Sequence, residues 1–266
     1  MSIVFALMAL FACSTAQFNI DAEARDNNLA VEEFSNDTFD LRIYSNSVAS
    51  KHQVVYIEGD GRPWSTDGRQ AATDPTPHHP LAFNLMTQTT ASSHYVTRPC
   101  YFRLSGNGCR PETWTDARFS ETIVASMTAA LESTLSTELP LILIGYSGGG
   151  ALALLIGSRI ERDVFVVTIA GLVDTEAWTQ SHGYQPLVGS LNPAAVPSVQ
   201  KVRQLHLIAN RDITVPPDQT RSAVADWPRA NAISFAKYDH ACCWEENWPK
   251  IWRIIETEVN RSVDSH

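Results

Sequence analysis

Short apolar runs recur along the chain, separated by turn-forming residues or by segments of helical spacing. Residues 139–145 (LPLILIG) and 164–169 (VFVVTI) are apolar without alternation, the pattern of strands buried on both faces. Residues 39–44 (FDLRIY) alternate, and residues 54–57, 94–97, 202–209 (VRQLHLIA) and 233–238 complete the predicted strands. Between them, residues 117–135 carry Ile123, Val124, Met127, Ala130, Leu131 and Leu135 on one helical face. Further helices are predicted after the Pro-marked segment 74–79 (DPTPHH), over 149–160 and 217–225, and at the end over 244–259. Buried strands alternating with helices predict an α/β fold, a mostly parallel central sheet with helices on both faces.

Two stretches lack such a pattern. Residues 14–36 are polar and acidic and predict a tether or irregular lead-in to a domain over 37–266. Residues 174–200 contain no clear element, and a gap of that size inside a domain is usually functional. With Trp178, His182 and Tyr184 it is read as a short lid forming one wall of a pocket.

Composition narrows the class. The 266 residues are 44% hydrophobic and 18% charged, which is globular chemistry for one domain. Lys and Arg number 20 against 29 Asp and Glu, a net charge of −9 without a basic run, so nucleic acid is not an expected partner. Residues 3–12 (IVFALMALFA) are too short to span a bilayer. They fit the hydrophobic region of a secretory signal. With Cys13 directly after it, the run over 1–13 resembles a bacterial lipoprotein signal, in which the Cys is lipidated and becomes the new N-terminus. Export to the periplasm, a membrane anchor through Cys13, or secretion follows as the expectation. Of the remaining cysteines, Cys100 and Cys109 enclose the turn signal Ser-Gly-Asn-Gly and are predicted to form a disulfide, which suits an oxidising compartment. Cys242 and Cys243 are adjacent, so a vicinal disulfide or one buried thiol are both open. Neither pair has zinc-site spacing, and no metal is expected.

The chemistry concentrates at Gly145-Tyr146-Ser147-Gly148-Gly149, a G-x-S-x-G pattern between a predicted strand and a predicted helix. A nucleophilic Ser needs a very sharp strand-to-helix turn to project its hydroxyl, and flanking glycines remove Cβ atoms that would clash there. The following helix turns its free N–H groups toward the reacting centre.

With this motif the chain resembles the α/β-hydrolase superfamily over about residues 39–260. The resemblance implies the α/β-hydrolase fold and a nucleophile, acid and His in that chain order. Ser147 matches the nucleophile, Asp212 in NRDITVPP the acid, and His240 in YDHACCW the base, with separations of 65 and 28 residues. In such enzymes the Ser attacks an acyl carbonyl, the His moves its proton, and the Asp orients the imidazole. The implied oxyanion hole is the N–H of Gly148 and that of Asp60, in the loop after VVYI. Where the superfamily often has His-Gly, this chain has Glu58-Gly59, and Glu58 and Asp60 bring carboxylates toward a site that must accept an anion. YIEGDG, WT-x-x-RFS and DHACCW suggest a small bacterial exported subgroup. The implied partner is a small or medium acyl substrate, most simply a carboxylic ester, and no cofactor.

Two rival readings stand beside this one. Gly148-x-Gly150-x-x-Ala153 also matches a dinucleotide fingerprint, with Asp174 downstream, as in a nicotinamide-dependent oxidoreductase. A hydrolase-fold binding protein without turnover is the other. Asp174 is in addition a rival acid. His78 and His79 read as a solvated helix start, and His206 as a core or edge histidine.

Overall fold

The computed structural model describes residues 18–261. The predicted signal and Cys13 lie outside the described residues. The sheet has eight strands: β1 (Ala30–Ser35), β2 (Asp40–Ser45), β3 (Gln53–Ile57), β4 (Ser92–Val96), β5 (Leu141–Tyr146), β6 (Val164–Ile169), β7 (Arg203–Ala209) and β8 (Ala230–Phe235). Their order is β1-β2-β4-β3-β5-β6-β7-β8. The β1–β2 and β2–β4 pairings are antiparallel and all others parallel.

Both faces of the sheet are covered, and the period of two along each strand assigns the residues. Val55 and Ile57 of β3 and Leu141 and Leu143 of β5 join the core with α3 (Glu121–Thr134) and α4 (Gly148–Gly157). Val54, Tyr56, Ile142 and Ile144 face the other core, with α2 (Leu81–Thr87) and α7 (Trp244–Arg261). Helix α6 (Pro217–Val224) adds Val224 to the first core, and helix α7 buries Trp244, Trp248, Ile251, Trp252 and Ile255, one stripe at helical spacing. Helix α3 starts where the Ser120 side chain accepts the Ile123 N–H. Helix α4 is buried on every side, which accounts for its wholly apolar composition. No helix among the described residues is long and apolar enough to cross a membrane.

The expected lead-in is corrected over most of its described part. Asn19 caps α1 (Ile20–Asp26), whose Ile20 and Ala24 are buried, and β1 then pairs along β2. Backbone hydrogen bonding holds this edge strand, so its largely exposed side chains carry no apolar signal. Cys100 and Cys109 are joined, Cα to Cα 5.6 Å, and the loop between them lies against Thr38 and Phe39. Cys242 and Cys243 are also bonded to each other.

Candidate active site

The C-terminal ends of the parallel strands carry the site. Between β5 and α4 the chain reverses at Ser147, whose φ of 52° and ψ of −122° lie outside the regions that side chains ordinarily occupy. Its backbone is held on both sides: the N–H donates to Ile169 O at 3.0 Å, and the C=O accepts from Leu172 N at 2.9 Å. The turn is tight enough that a Cβ on Gly145 would lie 2.1 Å from Gly149 O. Ser147 stands at the N-cap of α4, yet its hydroxyl caps nothing.

The hydroxyl instead meets His240 Nε2 at 3.0 Å. On the opposite side of the ring, His240 Nδ1 is 2.7 Å from Asp212 Oδ2. Asp212 follows β7, is buried, and its Oδ1 accepts the N–H groups of Thr214 and Val215, each at 2.8 Å. Both carboxylate oxygens are therefore engaged, and the acid has little freedom to rotate. His240 follows β8. Its carbonyl accepts Trp244 Nε1–H at 3.1 Å, and the Tyr146 ring lies 5.2 Å from the imidazole. The three residues singled out as nucleophile, acid and base thus form one hydrogen-bonded chain.

The other sequence-predicted positions fall as follows. Gly148 opens α4, where its N–H has no acceptor within the helix. Asp60 lies in the loop after β3, and its carboxylate is so near that a Cβ on Gly148 would stand 2.1 Å from Asp60 Oδ1. Asp174 takes no part: its side chain caps α5 (Thr175–His182) by accepting from Glu176 N and Ala177 N. Of the fingerprint glycines, Gly148 and Gly150 lie buried in α4, and a Cβ on Gly150 would stand 3.0 Å from Gly171 Cα, a tight contact. Helix packing accounts for that pattern. His206 is buried between Thr168 Oγ1 at 2.9 Å and Gln204 Oε1 at 3.1 Å, and burial pulls its pKa down to about 3.

Ser147 and His240 open into a cavity of about 840 Å³. The segment read as a lid supplies one wall through Trp178, Tyr184 and Leu187. Trp64 and His79 also line the cavity, and His79 is exposed just ahead of α2, as expected of a solvated helix start. Burial pushes the Glu58 carboxyl up to about 7, although it accepts the N–H groups of Gly59 and Ala82 at 3.1 and 3.0 Å. Asp60 behaves oppositely. Burial alone would raise its pKa, but Arg118 and Arg98 outweigh that and hold it below the usual carboxylate range. Arg118 falls in the WT-x-x-RFS segment, which the sequence offered without a role for the arginine, and Arg98 stands on no local signal. Among the described residues no group of three or more His, Cys, Asp or Glu is arranged to hold a metal ion.

No family model matches the sequence, and no curated protein matches it. Solved structures do share its architecture. The Pyrococcus furiosus esterase Pf2001 is 10% identical, with a TM-score of 0.60 over 89% of this chain and 94% of that one. Alpha/beta hydrolase domain-containing protein 10 from mouse is 13% identical, with a TM-score of 0.58 over 87% and 99%. Naproxen esterase (carboxylesterase NP) from Bacillus subtilis is 12% identical, with a TM-score of 0.58 over 89% and 95%. The chain has the α/β-hydrolase fold.

Proposed function

We propose that this chain is a serine hydrolase that cleaves a carboxylic ester. The observation that carries this reading is the unbroken relay from Ser147 Oγ through His240 to Asp212, at 3.0 and 2.7 Å, opening into the cavity. His240 Nε2 takes the hydroxyl proton as Ser147 Oγ attacks the acyl carbon. The oxygen that gains charge meets the N–H groups of Gly148 and Asp60. The proton then passes from His240 to the leaving alcohol, which departs and leaves an acyl-serine. Water, activated by the same imidazole, releases the acid. Asp212, held by two amides, keeps the imidazole aimed and stabilises its charged form.

Esterases among the structural neighbours support ester chemistry as the simplest choice. A cavity of about 840 Å³ is within the usual size of small-molecule sites, which supports a small or medium acyl substrate over packed lipid. Its aromatic wall supports an apolar group on one side of the scissile bond. The two disulfides support export to an oxidising compartment. Lipidation of Cys13 goes with that proposal, and mass spectrometry of the unreduced mature protein tests it.

A fluorophosphonate probe tests the activity. Wild type is expected to be labelled covalently and to hydrolyse p-nitrophenyl esters, and Ser147→Ala is expected to lose both. An unlabelled, inert wild type that binds NADH would overturn the assignment.

A further inference from the structure

Asp60 is an odd residue for its place. In the ester-hydrolase reading its N–H serves the oxygen that gains negative charge, yet its side chain carries a negative charge of its own. The surroundings resolve the conflict. Asp60 Oδ1 accepts from Arg98 Nη1 at 2.6 Å, and Oδ2 accepts from Arg118 Nη1 at 2.7 Å. Both arginines are buried, 2% and 4% exposed. Their own positions are fixed. Arg98 Nη2 donates to the Arg118 carbonyl at 3.4 Å, and its guanidinium lies 5.0 Å from the Tyr101 ring centre. Arg118 Nε donates to the Thr115 carbonyl. The Asp60 main chain is gripped too, since its carbonyl accepts the Tyr101 hydroxyl at 2.9 Å.

Burying three charges is costly, and as a source of stability an apolar trio would serve as well or better. The cluster sits against Gly148, the other proposed donor, whose missing side chain leaves the room that Asp60 Oδ1 fills. Two guanidinium groups against one carboxylate leave one positive charge in excess within the trio, which the nearby Glu58 carboxyl offsets when it is ionised. A fixed positive field in a water-poor site strengthens the stabilisation of a developing anion.

We propose that Arg98 and Arg118 are positioning residues for the hydrolysis: by gripping the Asp60 carboxylate they aim the Asp60 N–H at the nascent oxyanion and neutralise the carboxylate beside it. The inference rests on the ester-hydrolase reading above. It assigns to Arg98, and to Arg118 at the cavity wall, a share in the transition state rather than in substrate binding.

The test compares Arg118→Gln, Arg118→Lys and Arg98→Gln with wild type on p-nitrophenyl butyrate, with circular dichroism to verify folding. A trifluoromethyl ketone, whose hemiketal oxygen mimics the oxyanion, is the second probe. Arg118→Gln is expected to lower kcat by roughly 10–10²-fold, within the range of losing part of an oxyanion-hole donor, with KM nearly unchanged. Ketone inhibition should weaken in parallel, and Arg118→Lys should recover part of both. Should Arg98→Gln fail to fold, the Arg118 pair carries the comparison. Folded Arg118 variants with wild-type kcat and wild-type ketone affinity would overturn the inference alone. A wild type that neither turns over nor labels would overturn it together with the reading beneath it.

Discussion

At the scale of single residues, the site depends on where side chains are missing as much as on where they stand. Gly148 is the clearest case, because Asp60 Oδ1 occupies the space its Cβ would take. Gly148→Ala must push the carboxylate, the arginines or the α4 N-terminus aside. Its kcat on p-nitrophenyl butyrate is expected to fall ~10²-fold or more, with the helical circular dichroism retained. Normal turnover in that variant would mean the contact is unimportant. The residues of the relay were legible because each sits on a local signal: Ser147 between glycines at a strand end, Asp212 in a charged loop after a strand, His240 just before the last helix. Arg98 and Arg118 were not, because they lie 38 and 58 residues from Asp60 and meet it only through the fold. His79 was legible as a solvated helix start and is exposed; that it also lines the cavity left no local signal.

Among the elements, the central strands and α3, α4 and α7 were readable because burial on both faces, or on one helical stripe, leaves a periodic trace. Helix α1 and strand β1 left none. One is short and capped by a single Asn, and the other is an edge strand held through its backbone. Residues 174–200 were legible as one wall of a pocket but not as a helix. Helix α5 has few buried positions, and it is held by Asp174 at one end and Gly183 at the other. Its Trp178 donates to Thr214 O at 2.7 Å, which ties the wall of the cavity to the loop carrying Asp212. Trp178→Ala removes both that bond and aromatic surface. We expect KM for a naphthyl ester to rise several-fold and that for p-nitrophenyl acetate to change far less. An equal change for both substrates would show that Trp178 acts on the relay rather than on binding.

The molecule as a whole carries a pH dependence in its core. His206 and His94 are buried, and burial pulls them down to about 3 and about 4. An unfolded His takes up its proton near 6.5, so below that pH the unfolded chain binds protons that the folded chain refuses, and stability falls as pH falls. For His206 alone the loss reaches about 5 kcal/mol by the time its folded pKa is met. Glu58 works the other way. Its carboxyl, raised to about 7, binds a proton in the folded state that the unfolded chain has released, and it costs stability as pH rises from 4.5 to 7. With two histidines against one carboxyl, Tm is expected to drop as pH is lowered from 6.5 to 4. The slope should be shallower in His206→Gln, and a Tm indifferent to pH over that range would refute the assignment. The Cys100–Cys109 bond has a different reach: it spans the very stretch where the chain runs from Arg98 toward Arg118. A protease that nicked the intervening loop would cut the polypeptide in two without parting it. The pieces would stay shackled, migrating as one band on a gel until a reducing agent let them go.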